Sequence, residues 1–309
     1  MTRVAKQKEF TMWIGEPGKI TDRIDFLGTH KNCLYLLKGK EAMIIGGGMS
    51  WTAPSLEKQF SAMDYDLTRI KYLVIPHSHF DHCGAVPYLK RKLPWLQIVA
   101  SAYCKEVFSK EKAMNFMADA NNRMIENLGL QDEYDRLNLK FDNIHINRVV
   151  AEGDTIDLGD GIEACFTKTP GHTKGSIAIY VPKLKALFPS DAAPFPTDNG
   201  RELSYPSAQY DFSLYMESLR KLTTYDADIC GFDHHGVFIG RQAREILQQG
   251  LEQAEEFGSH VMEQYQQTGD LDKMAQKLAA GASAKNKFEF LSLELETAVA
   301  KTVISNIIG

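Results

Sequence analysis

Cysteine is scarce in this 309-residue chain, and the five present (Cys33, Cys83, Cys104, Cys165, Cys230) form no C-x-x-C pair. An odd, scattered set argues against a disulfide framework or a thiolate zinc knuckle, and for a reducing compartment. Long hydrophobic runs are also missing. No stretch of about 18 apolar residues occurs, and the opening segment MTRVAKQKEFTMWIGEPGK has no apolar core of the signal-peptide kind. The expectation is a cytoplasmic protein without a membrane partner. Positive charge is not in excess: 35 Lys and Arg stand against 40 Asp and Glu, for a net charge of −5. That balance speaks against a nucleic-acid partner. There is no G-x-S-x-G, no Walker A and no complete G-x-G-x-x-G, so a serine-nucleophile elbow, a phosphate-cradling loop and a dinucleotide fold are set aside.

What remains is an ordinary globular composition, 44% hydrophobic and 24% charged, long enough for one large domain or two. Short β-rich runs stop at glycine, proline or charge: Cys33–Leu37, Ala42–Ile45, Tyr72–Ile75, Gln97–Ala100, Ile144–Val149, Ile177–Val181 and Ala186–Phe188. Helical spacing falls at Ala85–Lys92, at Tyr215–Leu222 and over an inserted region of about 105–140. The chain therefore reads as α/β through residue 240, with a helical extension over 241–309 carrying apolar stripes. Those stripes must pack on the α/β part or in a homodimer interface. NCLYLLKGKEAMIIGGG and GSIAIYVPKLKALFPSD echo each other as strand, basic turn, strand, which hints at two similar halves.

Chemistry is concentrated in PHSHFDHCG, residues 76–84. In an extended segment His77 and His79 project to one side. Asp81 and His82 follow where the chain must turn into the next helix, so a turn would aim them at a second point nearby. Three imidazoles beside a carboxylate have no packing rationale and would repel one another when protonated; metal binding is the reading that fits. The set suits zinc, iron or manganese rather than magnesium or calcium. KTPGHTKGS adds His172, LFPSDAAPF adds Asp191, and ICGFDHHG adds His234 and His235, each just past a strand-like run or in a tight turn. His30, His145 and His260 lie outside this pattern and read as surface or loop residues. Cys83 reads as a buried helix-start residue. Phe195, Tyr205 and Tyr210 are candidate pocket walls. Met114, Met117 and Met124 read first as packing and second as an adaptable apolar lining.

Taken in order, H-S-H-F-D-H, P-G-H-T, S-D and H-H-G resemble the metallo-β-lactamase superfamily over roughly residues 20–240. The resemblance implies a four-layer αββα sandwich of two similar halves. It implies two divalent metal ions, one held by His77, His79 and His172 and the other by Asp81, His82 and His235, with Asp191 bridging. His235 is preferred over His234 because the family's last ligand precedes a glycine. Many members carry an aspartate where Gly46 stands, so the hydrogen bond it would make must come from elsewhere. Within the superfamily the nearest resemblance is to PqsE-type thioesterases, and more distantly to hydroxyacylglutathione hydrolases. The implied function is hydrolysis of a thioester or related small acyl compound by metal-activated hydroxide, with Asp81 and Asp191 as the catalytic carboxylates. A lactonase or phosphodiesterase would use the same residues. A mononuclear iron sulfur dioxygenase and a non-catalytic interaction module are the remaining alternatives.

Overall fold

The strand Asn32–Lys38 is buried along almost its whole length, yet its side chains divide cleanly between two cores. Cys33, Tyr35 and Leu37 enter one apolar cluster, and Leu34 and Leu36 enter another. Period-two alternation puts successive side chains on opposite faces, so a strand apolar at every position must be covered on both sides. The computed structural model, which describes residues 12–309, provides both covers. The first eleven residues of the expected 1–240 catalytic domain lie outside the described residues.

Among the described residues, fourteen strands form two seven-stranded mixed sheets. In chain order they are β1 (Met12–Ile14), β2 (Gly18–Lys19), β3 (Ile24–Thr29), β4 (Asn32–Lys38), β5 (Ala42–Ile45), β6 (Ile70–Val74), β7 (Gln97–Ser101), β8 (Arg148–Val150), β9 (Thr155–Asp157), β10 (Glu163–Lys168), β11 (Ile177–Val181), β12 (Ala186–Phe188), β13 (Ile229–Gly231) and β14 (Val237–Ile239). The first sheet runs β2-β3-β4-β5-β6-β7-β8, the second β1-β14-β13-β12-β11-β10-β9. Helices α1 (Ala53–Ala62), α2 (Val86–Lys92), α3 (Ala102–Phe108), α4 (Glu111–Asn127) and α5 (Gln131–Leu137) belong to the first half. α6 (Phe212–Leu222), α7 (Arg241–Thr268), α8 (Leu271–Asn286) and α9 (Leu293–Ile308) belong to the second. One core lies between the helices of the first half and the first sheet, one between the sheets, and one between the second sheet and α6 and α7. The result is the four-layer αββα sandwich. The sequence echo has a topological basis: β4–β5 and β11–β12 are antiparallel hairpins, and β5 and β12 each then pair in parallel with the next strand, β6 and β13.

The C-terminal helices are not free-standing. Ile246, Leu247 and Leu251 of α7 are buried in the same core as Leu219 and Phe232, and each such side chain contributes about 1.5–3 kcal/mol by leaving water. α8 and α9 close against α7 through a small cluster of Val261, Ala275, Ala279, Ala300 and Ile304. Met114 and Met117 lie in the core under the first sheet's helices, and Met124 packs with Met49 and Phe290. The run expected as a strand over Ile144–Val149 pairs only from Arg148 onward, because Ile144 and Ile146 point into the helix-side core instead.

Candidate metal centre

The residues of the candidate centre follow the carboxyl ends of four strands. After β6 the chain stays extended through His79 (φ −77°, ψ 153°), then turns in one short helical turn, Phe80–His82. Glycine makes the close approach possible here. A Cβ on Gly47 would sit 2.4 Å from the carbonyl oxygen of His82, and the Gly47 and Gly48 carbonyls accept from the amides of Ala85 and Gly84. The turn after β10 delivers His172. Its preceding Gly171, at φ +133°, lies against the Tyr215 backbone, where a Cβ would stand 2.3 Å from an α-carbon. Asp191 follows β12, and Asp233 and His234 follow β13.

Among the described residues, four groups of three side chains could hold an ion. They are His77, His82 and Asp233; His30, Asp198 and His235; and the two that concern the centre, His77, His79 and His172 in one and Asp81, His82 and His234 in the other. His172 Nε2 is 3.2 Å from His77 Nε2 and 2.9 Å from His79 Nδ1. Asp191 faces both groups. Its Oδ2 is 3.4 Å from His172 Nε2 and 3.4 Å from His82 Nε2, and its Oδ1 is 3.8 Å from His234 Nε2. Asp81 Oδ2 is 3.2 Å from His82 Nε2 and 3.6 Å from His234 Nε2.

The outer ring nitrogens settle the tautomers. His172 Nδ1 donates to the Ser207 carbonyl at 2.6 Å, and His234 Nδ1 donates to the Lys31 carbonyl at 2.8 Å. His82 Nδ1 lies 3.1 Å from Asp233 Oδ2. With their outer nitrogens protonated, His172 and His234 present the lone pairs of their inner nitrogens to neighbouring rings and carboxylates. His82 Nε2 and Asp191 Oδ1 are buried without a hydrogen-bond partner. Converging lone pairs and orphaned carboxylate oxygens suit cations, so the residues fit divalent metals.

The electrostatics agree for the first group and the carboxylates. At His82 burial lowers the imidazole, but Asp81 and Asp191 outweigh it and raise it well above its ordinary range, so an ion binding there must displace its proton. Burial lowers the His77 imidazole well below its ordinary range and holds His79 down at about 3, with His172 adding to the second effect. Burial pushes the Asp81 and Asp191 carboxyls up, but neighbouring histidines outweigh it. Asp81 is held at about 2, mainly by His82, and Asp191 falls well below the carboxylate range through His82 and His234. The histidines of the first group are thus neutral and both carboxylates ionised across the physiological range, the states in which they bind metal.

The structure places His234, rather than the expected His235, beside Asp81 and His82, and sets His235 beside His30 and Asp198. The His235 backbone is left-handed (φ +60°), and its amide donates to the His30 carbonyl at 2.8 Å. Its ring stacks on Phe288 at 4.9 Å and 9°, with Nδ1 3.2 Å from His30 Nε2. His30 is consequently not a simple surface residue. It pairs with Gly15, Asp198 and His235, whereas His145 and His260 are exposed. Cys83 is buried in the helix-side core.

Asp233 had no signal in the sequence, and Ser190 entered only as the serine of the S-D motif. Asp233 touches His82 Nδ1 and accepts from Ser190 Oγ, which lies 3.2 Å from His77 Nδ1. One carboxylate thereby orients an imidazole of each group, the task left open by glycine at position 46. Only its place beside His234, past a strand, could have drawn attention to it.

A cavity of about 250 Å³ opens over the two groups, lined on one side by His79, Asp81, His172, Asp191 and His234. Phe80, Phe195, Phe288, Phe290 and Leu295 give it apolar walls, and Tyr205 joins them. Tyr210 is exposed instead. Glu296 of α9 also lines it, 4% exposed, and burial raises its carboxyl to about 7. The folded protein therefore holds a proton there between the ordinary value of 4.5 and about 7, and stability is lost as pH rises through that window. Glu296→Gln should gain on the wild type by up to about 3 kcal/mol between pH 4 and pH 8. Urea unfolding at the two pH values checks this; an unchanged difference would show the carboxyl to be unperturbed.

Fold and site together define the class, a sandwich of metallo-hydrolase type with a two-part candidate metal centre. The chain belongs to the Metallo-beta-lactamase superfamily, whose family profile matches residues 28–234. It is 26% identical over 189 residues to the metallo-beta-lactamase fold-containing protein ST1585 of Sulfurisphaera tokodaii, covering 61% of this chain and 69% of that one. It is 27% identical over 194 residues to a hydroxyacylglutathione hydrolase of Rhodopseudomonas palustris, covering 61% and 58%. A stretch of 130 residues is 28% identical to an anaerobic nitric oxide reductase flavorubredoxin of Salmonella typhi, 42% of this chain but 21% of that one. Among solved structures, BJP-1, a subclass B3 metallo-beta-lactamase of Bradyrhizobium japonicum, superposes with a TM-score of 0.57 at 18% identity, covering 83% of this chain and 97% of that one. No helix among the described residues is long and apolar enough to cross a membrane.

Proposed function

We propose that the protein hydrolyses acyl thioesters, with two divalent metal ions (zinc, iron or manganese) in the two side-chain groups. His77, His79 and His172 would hold one ion and Asp81, His82 and His234 the other, with Asp191 serving both. Such ions, when bound, supply Lewis acidity and a water that ionises near neutral pH. The chain's own residues do the rest. Asp233, Ser190 and the Ser207 and Lys31 carbonyls lock the imidazoles so that their inner nitrogens face the centre. Asp81, ionised and lining the cavity, orients a proton of the attacking water. Phe80, Phe195, Phe288 and Phe290 bury the acyl group and keep bulk solvent away.

The observation that carries this reading is Asp191 facing both groups beneath an aromatic cavity. Likeness to a hydroxyacylglutathione hydrolase and the weaker resonance stabilisation of a thioester carbonyl favour a thioester. The test is a panel of acyl-CoA and acyl-glutathione thioesters, homoserine lactones and aryl phosphodiesters, assayed with metal-loaded protein. Thioester turnover that falls at least roughly 10²-fold in Asp81→Asn is expected. Turnover of lactones or phosphodiesters alone would replace the substrate class while leaving the metal centre standing. Oxygen consumption with a persulfide would replace hydrolysis.

A further inference from the structure

A second cavity, about 310 Å³, lies between α7, α8 and α9. Ser204, Tyr205 and Asn286 line both it and the cavity over the metal centre, so the two meet at these side chains. Its walls are largely apolar: Leu203, Phe257, Val261, Leu278, Ala282 and Ile304. The Asn286 Oδ1 is buried at the junction without a hydrogen-bond partner. Gly281, exposed in the middle of α8, lines the cavity from its open side, and an added Cβ there would meet no atom within 4 Å, so a larger side chain is accommodated at this position.

We propose that this second cavity takes the distal part of a long aliphatic acyl chain whose carbonyl end sits over the metal centre. The identity of the ligand rests on the acyl-hydrolase reading above; the existence of the chamber does not. Each methylene moved from water into such walls tightens binding by roughly fourfold, the equivalent of ~0.8 kcal/mol. A short acyl group would fill only the cavity over the metals, and a long one would extend past Tyr205 and Asn286.

The test measures binding without turnover, by calorimetry with hexanoate and dodecanoate on the full-length metal-loaded protein. The head group is the same, so its contribution cancels. Dodecanoate should bind at least tenfold more tightly than hexanoate. Gly281→Leu and Leu278→Trp, which fill the chamber from α8, should abolish that gain and leave hexanoate affinity unchanged, while Gly281→Ala keeps it. Thermal melts confirm that the variants fold. No gain with chain length in the wild type would overturn the proposal, as would a gain that survives both filling variants. Equal loss of hexanoate and dodecanoate binding in the variants would also overturn it, because a separate chamber predicts separate effects. Failure of thioester hydrolysis would leave the binding result intact, so the two readings fall independently.

Discussion

His234→Ala is expected to reduce the bound metal from two equivalents to one and to lower turnover by roughly 10²–10³-fold, while His235→Ala keeps both ions. The two side chains are adjacent, and both are buried, so burial does not distinguish them. Direction and partner do. His234 Nδ1 is occupied by the Lys31 carbonyl, leaving Nε2 toward Asp81 and Asp191. His235 stacks on Phe288 and brings its Nδ1 to His30 Nε2. Removing His234 leaves Asp81, His82 and the shared Asp191 for an ion that then lacks one of its own ligands. Elemental analysis of the two variants, alongside their activities, decides the matter. One ion in His235→Ala and two in His234→Ala would return the role to the residue preceding the glycine.

Asp233→Ala should weaken metal binding by roughly 10–100-fold. The carboxylate is 2% exposed and sits between His82 Nδ1 and Ser190 Oγ. Without it, His82 can rotate or take the other tautomer, and Ser190 loses the acceptor that aims its hydroxyl beside His77. Asp233→Asn preserves shape and keeps an acceptor oxygen, so it should lose less. Competition with a chelator gives the affinities, and cobalt substitution adds a ligand-field spectrum that reports the geometry directly. Unchanged affinity and spectrum in Asp233→Ala would reduce the residue to ordinary core polarity. Ser190→Ala, which breaks the link to His77 alone, should fall between the two.

Much of the site was legible because it is local. His77, His79, Asp81 and His82 lie within six residues, and the period-two geometry of an extended chain followed by a turn already separates them into two directions. His172 and Asp191 were legible because glycine, proline and strand ends mark where a side chain can be presented. The strands read equally well where both faces are buried, as in β4, β5, β11 and β12, since continuous β-branched and aromatic runs admit few other structures. What failed to read lacked a local pattern. The strands β9 and β14 are three residues each, too short for a periodic signal.

By itself the sequence determined the alternation of strands and helices, the hint of two similar halves and the cluster of imidazoles and carboxylates, because these follow from periodicity, turn chemistry and the placing of ligand-type residues at strand ends. The four-layer αββα plan came only through the resemblance that those motifs carry. Only the tertiary structure placed His234, rather than His235, beside Asp81 and His82, since that placement depends on a left-handed backbone torsion and on partners in β3–β4 and the α8–α9 connection. It alone assigned Asp233 to the hydrogen bond that Gly46 cannot make. It also brought Phe288, Phe290 and Leu295 from the last quarter of the chain over residues near position 80. Contacts at that sequence separation arise from how the helices pack on the sandwich, and nothing in the spacing of either segment encodes the meeting.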